Sequence, residues 1–249
     1  MLVRMSVSNQ RIISSLRSAY GRYEKQSKQW ITDFTKQGGQ VFCQAGCANC
    51  CNFPIQISLA EAVYTAHLLN PAQMAAMQVH AARVIKNAQT ASSWDAYFWQ
   101  HRTQVGFCPL LDQTTGNCTA YEARPARCRD TYSAFDSHYC KVGTLEQMSK
   151  QETRVFGQQI KANPATDGTS HYIAPLEEMG ESIWKVASQA MRQEWGLEIW
   201  GDYWILTSLA SDQIFMDFIR AGETKKAISR AKTLKLWHLE IVQIEEVSK

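Results

Sequence analysis

Several classes of protein are not expected here because of what the chain lacks. Its most apolar helical stretch, residues 203–219, carries Asp212, Gln213 and Asp217, so a membrane span is not expected. The net charge is only +3 and acids are interspersed among the bases, so nucleic acid is not an expected partner. No Gly-rich loop follows a predicted strand, which argues against an ordinary dinucleotide site.

The N-terminal stretch also lacks the features of a secretory signal. Residues 1–21 contain no continuous apolar run and no cleavage-like site of small residues. Disulfides are rare in the cytosol. We therefore expect a cytoplasmic protein whose thiols are reduced.

What the chain does have is a local concentration of cysteine. Its eight cysteines fall in one window, and the final hundred residues contain none. They are Cys43, Cys47, Cys50, Cys51, Cys108, Cys118, Cys128 and Cys140. Reduced thiols crowded in this way favour metal ligation over core packing, a disulfide framework or thiol exchange. All eight are therefore candidate metal ligands.

The spacing of the first four cysteines supports ligation. Tetrahedral thiolate sites need sulfurs within about 4 Å of one another, and pairs two or three residues apart on a tight turn supply this. Cys43 and Cys47 are separated by three residues, and Cys47 and Cys50 by two. Neighbouring side chains of an extended segment point to opposite faces, so we expect Cys50 and Cys51 to diverge. One of the two would then serve a second site or lie beside the ligands.

The last four cysteines lie on a different predicted framework. Residues 107–121 read as a small hairpin whose two cysteines meet across the turn. Pro125 then begins a short helix that presents Cys128. Arg124, Arg127 and Arg129 either offset the charge of a thiolate-rich site or form a solvated helix face, and both interpretations stay open. Cys140 could complete a site, with His138 as its neighbour.

Helical periodicity dominates the rest of the chain. The pattern predicts a helix over residues 10–36, and beyond Cys140 it predicts helix throughout. Capping boxes are expected at Ser58 and Thr144, and helix starts at Pro71 and Pro175. Asp202 is expected to cap a helix over residues 203–221. Residues 225–247 favour a helix, although alternation over 233–243 leaves a strand open.

These patterns predict a mainly α fold, a helical frame around a cysteine-rich metal-binding core of loops with a small hairpin. We expect an N-terminal helix in residues 1–40, a cysteine-cluster metal-binding domain with inserted helices in 41–141, and a C-terminal helical region in 142–249, all in one globular unit. The five aromatic residues from Trp184 to Trp204 are expected in the core. The histidines other than His138 are expected to be structural or exposed; they are His67, His80, His101, His171 and His238.

Taken together, the motifs resemble the YkgJ-type cysteine-cluster family, which is described as carrying a zinc- or iron-chelating domain. The resemblance covers residues 41–141 and includes Cys50-Cys51, Cys108-Pro-Leu-Leu-Asp112 and the run from Gly116 to Arg129. One departure is that three residues separate the first two cysteines, where the family usually has two. The resemblance implies a cysteine-ligated metal protein, often an iron–sulfur protein or oxidoreductase, and a relative is the flagellin lysine methylase, which carries an iron–sulfur cluster.

Three functional hypotheses follow. The first is an iron–sulfur protein, with a 4Fe-4S cluster, that has a redox or protein-modification role. The second is a structural zinc module that serves protein interaction. The third is an iron–sulfur-dependent protein lysine methylase. Whether the protein is an enzyme stays open, and each hypothesis implies a protein partner or protein substrate.

Overall fold

A computed structural model describes residues 6–246, in which ten α-helices surround one small antiparallel sheet. The mainly α prediction is confirmed. The elements are α1 Val7–Lys36, β1 Gln56–Ser58, α2 Leu59–Leu68, α3 Pro71–Thr90, α4 Trp94–Gln100, α5 Ala126–Asp130, α6 Lys150–Ala162, α7 Ala174–Trp195, β2 Leu197–Asp202, α8 Tyr203–Ala210, α9 Gln213–Arg220, α10 Thr224–Thr233 and β3 Val242–Glu246. Among residues 6–246, no helix combines the length and the apolar character that crossing a membrane requires.

The long helices α1 and α7 pack against each other and supply much of the core. Apolar residues recur at helical spacing along α1, so Ile12, Leu16 and Tyr20 all face inward and are buried. On α7, Ile183 and Met191 are fully buried. This helical frame leaves the cysteine-bearing segments as loops at its side.

Most predicted helix boundaries are confirmed, because capping chemistry is local. At Ser58 the hydroxyl accepts from the Glu61 amide while the Glu61 carboxylate accepts from the Ser58 amide, as a capping box requires. Helix α7 ends at Gly196, which adopts a left-handed φ of +70°. The box predicted at Thr144 is wrong. The box that opens α6 is formed by Ser149 and Glu152.

The prediction of helix throughout the region beyond Cys140 is also wrong. Strand β2 pairs antiparallel with both β1 and β3, and Ile199 lies opposite Ile244. The helix predicted over residues 225–247 ends at Thr233, because the alternating pattern that follows buries Val242 against β2. The last residue of that prediction, Val247, lies outside the described residues. The helix predicted over 203–221 is interrupted at Asp212, whose side chain caps α9 by accepting from the Phe215 amide. The division into domains stays a prediction, and its residues 1–5 and 247–249 lie outside the described part.

The buried carboxylate of Glu61 joins three elements that position the cysteines. One carboxylate oxygen accepts from the Tyr20 hydroxyl of α1 at 3.1 Å and from the Ala126 amide at the start of α5 at 2.9 Å. The other accepts from the amide and the hydroxyl of Ser58. Burial raises the pKa of Glu61, and these four donors oppose that rise. Glu61 therefore fixes the helix that carries Cys128.

We expect Glu61→Ala to lower the free energy of unfolding by roughly 3–5 kcal/mol, because it leaves several buried donors without an acceptor. Urea denaturation of the metal-free protein measures this change. Glu178 lies on the exposed face of α7, so Glu178→Ala is the matched control and should change stability by less than about 0.5 kcal/mol. Equal stability of the two variants would contradict the role given to Glu61.

Candidate metal centre

The first four cysteines lie on a succession of tight turns. The amide of Cys47 donates to the Gln44 carbonyl at 3.0 Å, and the amide of Cys51 donates to the Ala48 carbonyl at 2.9 Å. In this curled segment Cys51 raises the pKa of the neighbouring Cys50 thiol, so the two side chains lie near each other. The expectation that these two side chains diverge is therefore wrong, because it assumed an extended backbone.

Residues 107–121 form the predicted hairpin, but with less strand pairing than expected. A single antiparallel bridge joins Leu111 and Cys118, and the Asp112 amide donates to the Asn117 carbonyl at 2.9 Å. The Cys108 amide donates to the Cys51 carbonyl at 2.7 Å. This backbone bond connects the hairpin directly to the first cysteine turns.

Two glycines let the tip of the hairpin approach the first turns. Gly116 and Gly46 both have positive φ, of +70° and +85°. A side chain at Gly116 would overlap the Gly46 carbonyl, so the two backbones touch here. Gly46 also lies in the three-residue spacer between Cys43 and Cys47, so the position at which this chain departs from the family pattern is a docking point for the hairpin.

One group of thiols gathers around Cys43. Burial raises the pKa of Cys43 to about 11, and nearby Cys50 and Cys47 raise it further. Burial likewise raises the pKa of Cys140 to about 12, with contributions from Cys43, Cys50 and Cys47. The Ser133 amide donates to the Cys43 sulfur at 3.2 Å, which fixes Cys43 among the others despite its longer spacing. Cys43, Cys47, Cys50 and Cys140 thus share one neighbourhood.

The second group gathers around Cys128, at the end of the helix predicted to present it. Burial raises the pKa of the Cys128 thiol, and Cys108, Cys50 and Cys118 add to the rise. Burial also raises the pKa of Cys108 to about 11, with a further contribution from Cys118. Cys50 raises the pKa of thiols in both groups, so the two groups lie next to each other. Which of the thiols are ligands stays a prediction.

Cys128 is exposed to solvent at the edge of the space between the thiol-bearing segments, and that space is called the recess below. Its side chain is exposed to solvent, yet protein atoms surround it closely enough to raise its pKa. Within residues 6–246, no three His, Cys, Asp or Glu side chains are arranged as a group that could hold a single metal ion.

The three arginines near Cys128 have different roles: one lies beside the thiol, and the other two form ion pairs with the helical frame. Arg124 lies 3.5 Å from the centre of the Tyr121 ring, donates to the Cys128 carbonyl at 3.3 Å and lowers the pKa of the Cys128 thiol. The guanidinium of Arg129 is buried and pairs with Glu24 of α1. Arg127 pairs with Glu177 of α7 at 3.0 Å. Only Arg124 offsets thiolate charge, while the other two anchor α5 to the helical frame.

The sequence did not predict that His171 and Trp204 lie beside the thiols. The His171 ring nitrogen Nε2 lies 3.4 Å from the Cys140 sulfur, although 31 residues separate them and no motif links them. Trp204 is buried, as expected for a core aromatic. Its indole N–H faces the Cys108 thiol and lowers that thiol's pKa, although the geometry falls short of a full hydrogen bond. His138, by contrast, is exposed.

The fold and the gathered thiols define a cysteine-based metal-binding protein. Residues 42–155 match the family model described as "Putative zinc- or iron-chelating domain". Over residues 42–155, this match confirms the resemblance of the motifs to the cysteine-cluster family. No curated protein and no solved structure matches the chain.

The residues around the recess fit a thiolate-bound zinc or iron centre. Thiolates bound to a metal carry negative charge and accept hydrogen bonds. The Ser133 amide, the Trp204 indole and the Arg124 guanidinium supply donors or positive charge to three of these sulfurs. The indole N–H has no other hydrogen-bond partner within residues 6–246, so a charged sulfur would satisfy it.

We expect Gly116→Ala to weaken metal binding, because its methyl group would push the hairpin tip away from Gly46. Metal content after dialysis and the rate of thiol modification by a water-soluble reagent measure the effect; the variant should hold less metal and react faster. Gly157 lies in α6 with open space around its Cα, so Gly157→Ala is the matched control and should match the parent. Full metal retention by Gly116→Ala would contradict the docking role.

Metal affinity should rise with pH. Burial holds the pKa values of Cys43 and Cys108 at about 11 and that of Cys140 at about 12, so these thiols are protonated in the metal-free protein near neutral pH. Each thiol that binds metal releases a proton, so affinity should increase about tenfold per pH unit for each proton released. Chelator competition with zinc at several pH values measures the slope, and a slope of zero would contradict thiolate ligation.

Proposed function

We propose that the protein holds a 4Fe-4S cluster in the recess and has a redox or protein-modification role toward a protein partner in the cytoplasm. The observation that carries the proposal is the arrangement of the eight thiols. They come from the first turns, the hairpin, α5 and the turn Ser137–Cys140, and thiols of different segments raise one another's pKa values, which supports a shared centre.

The spread of the thiols supports a cluster over a single zinc ion. Zinc requires its four sulfurs to lie within about 4 Å of one another around a single centre. A cluster is larger, and its thiolate ligands are correspondingly further apart. The thiols here come from four separate segments and affect one another's pKa values, which supports a core that several segments enclose together.

The surroundings of the recess supply what a redox cluster requires. Reduction potentials of iron–sulfur clusters depend on net charge, hydrogen bonds to sulfur and exposure to solvent. Arg124 provides positive charge, Ser133 and Trp204 provide N–H donors, and Cys128 provides an open side. A bound cluster would supply one-electron chemistry, and these residues would hold it and set its potential.

Anaerobic purification followed by metal analysis tests the proposal. We expect iron and acid-labile sulfide in equal amounts, about four of each per chain, together with the broad visible absorbance of an iron–sulfur centre. Single Cys→Ser variants then identify the ligands, because ligand variants lose the cluster and the remaining variants keep it. A colourless protein with stoichiometric zinc would overturn the proposal.

The reduction potential should depend on Trp204. In Trp204→Phe the indole N–H near Cys108 is lost while most of the buried volume is retained, so we expect a more negative potential, since hydrogen bonds to sulfur stabilise the reduced cluster. Redox titration measures the potential. The matched control is Trp195→Phe, because the Trp195 indole donates to the Ser8 hydroxyl and not to a thiol. An equal potential in both variants would remove Trp204 from this role.

A further inference from the structure

A surface groove lies between α4 and the segment that leads into β3. It has a volume of about 530 Å³, and its lining includes Trp94, Tyr97, Leu239, Ile241 and Gln243. Trp94 is 53% exposed and Leu239 is 72% exposed, so two large apolar side chains stand at the surface. Tyr97 is buried beneath them. Exposed apolar side chains gathered at one concave place are typical of an interaction site.

A chain of contacting rings runs from this groove to the cysteines. Trp94 stacks on Tyr97 with ring centres 5.1 Å apart, and Tyr97 lies 6.0 Å from His101. His101 stacks on Trp204 at 5.0 Å. Trp204 belongs to the buried core cluster against which Cys108 packs, and its indole lies near enough to lower the pKa of the Cys108 thiol. Aromatic contact is thus continuous from solvent to the recess.

The backbone explains why these rings line up. Trp94 and Tyr97 are three residues apart on α4 and share one face of the helix. A π-helical turn, His101–Val105, continues α4 and places His101 beneath Tyr97. Trp204 lies in the first turn of α8, where Asp202 caps the helix. Burial lowers the pKa of His101 to about 3, so its ring is neutral and packs as an aromatic.

The charge around the groove indicates the kind of partner. Glu240 is part of the lining, and among residues 6–246 no Lys or Arg lines the groove. Asp95 flanks Trp94, and Glu245 continues along β3. Within residues 6–246, none of these three carboxylates forms an ion pair. An acidic rim around an apolar contact is complementary to a basic protein surface.

We propose that the Trp94 groove is the face at which the metal centre exchanges electrons with a basic protein that carries a one-electron redox group. This inference rests on the proposed iron–sulfur function. One electron passes between the partner's redox group and the cluster through Trp94, Tyr97, His101 and Trp204. One centre is oxidised as the other is reduced, and no bond forms or breaks. A small contact of this kind suits a transient electron-transfer encounter.

Stopped-flow oxidation of the reduced protein by ferricytochrome c tests this route, because cytochrome c is a basic one-electron carrier. We expect Trp94→Ala to slow the reduction of the haem several-fold. Trp99 is also exposed on α4 but is absent from the groove, so Trp99→Ala is the matched control and should react like the parent. Cluster content and potential are measured for each variant, so that only the rate of transfer is compared.

Charge reversal at the rim provides a second readout. Glu240→Lys should also slow the reaction several-fold, and the salt dependence of the rate should weaken, because an attractive charge is replaced by a repulsive one. If Trp94→Ala and Trp99→Ala react at the same rate while the parent transfers electrons, the groove is not the route. If the parent holds no cluster and transfers no electrons, the proposed function itself has failed.

Discussion

The hydrogen bond from the Cys108 amide to the Cys51 carbonyl is the interaction on which the arrangement of the metal centre depends. At 2.7 Å it joins the first cysteine turns to the hairpin, although 56 residues of mostly helical chain, residues 52–107, lie between the two partners. The contact between Gly116 and Gly46 reinforces the same junction. Neither segment carries enough regular structure to orient four thiols alone. The recess therefore exists because two irregular segments are fastened by their backbones.

The helical frame supports this junction through a small number of buried polar contacts. Glu61 ties α5 to α1 and α2, and Arg129 ties the same short helix to Glu24. On the opposite border, Asn49 donates to the Ser137 carbonyl at 2.9 Å and so draws the turn that carries Cys140 toward the first cysteines. Such bonds are directional, whereas apolar packing is not. They therefore fix the positions of the thiols more narrowly than a hydrophobic core alone does.

The parts that sequence reasoning predicted are those set by local chemistry. The Ser58 capping box, the helix that starts after Asn70 and the helix end at Gly196 each depend on a few adjacent residues. The three-stranded sheet depends on pairing between segments far apart, and β1 has only three residues, too few for a periodic signal. In the site, the concentration of thiols was visible in the chain. The approach of His171 to Cys140 and of Trp204 to Cys108 was not, because tertiary packing alone creates those contacts.

The opening beside Cys128 has a consequence for how the protein is matured. An inorganic core enclosed on all sides would have to be present while the chain folds around it, which would tie its insertion to synthesis. Here one thiol is reachable from solvent after folding, beside the guanidinium of Arg124. For the proposed cluster, this exposed thiol would mark the side that a delivering carrier, dioxygen and chelators reach first. Ease of loading and vulnerability to damage are thus two results of one opening.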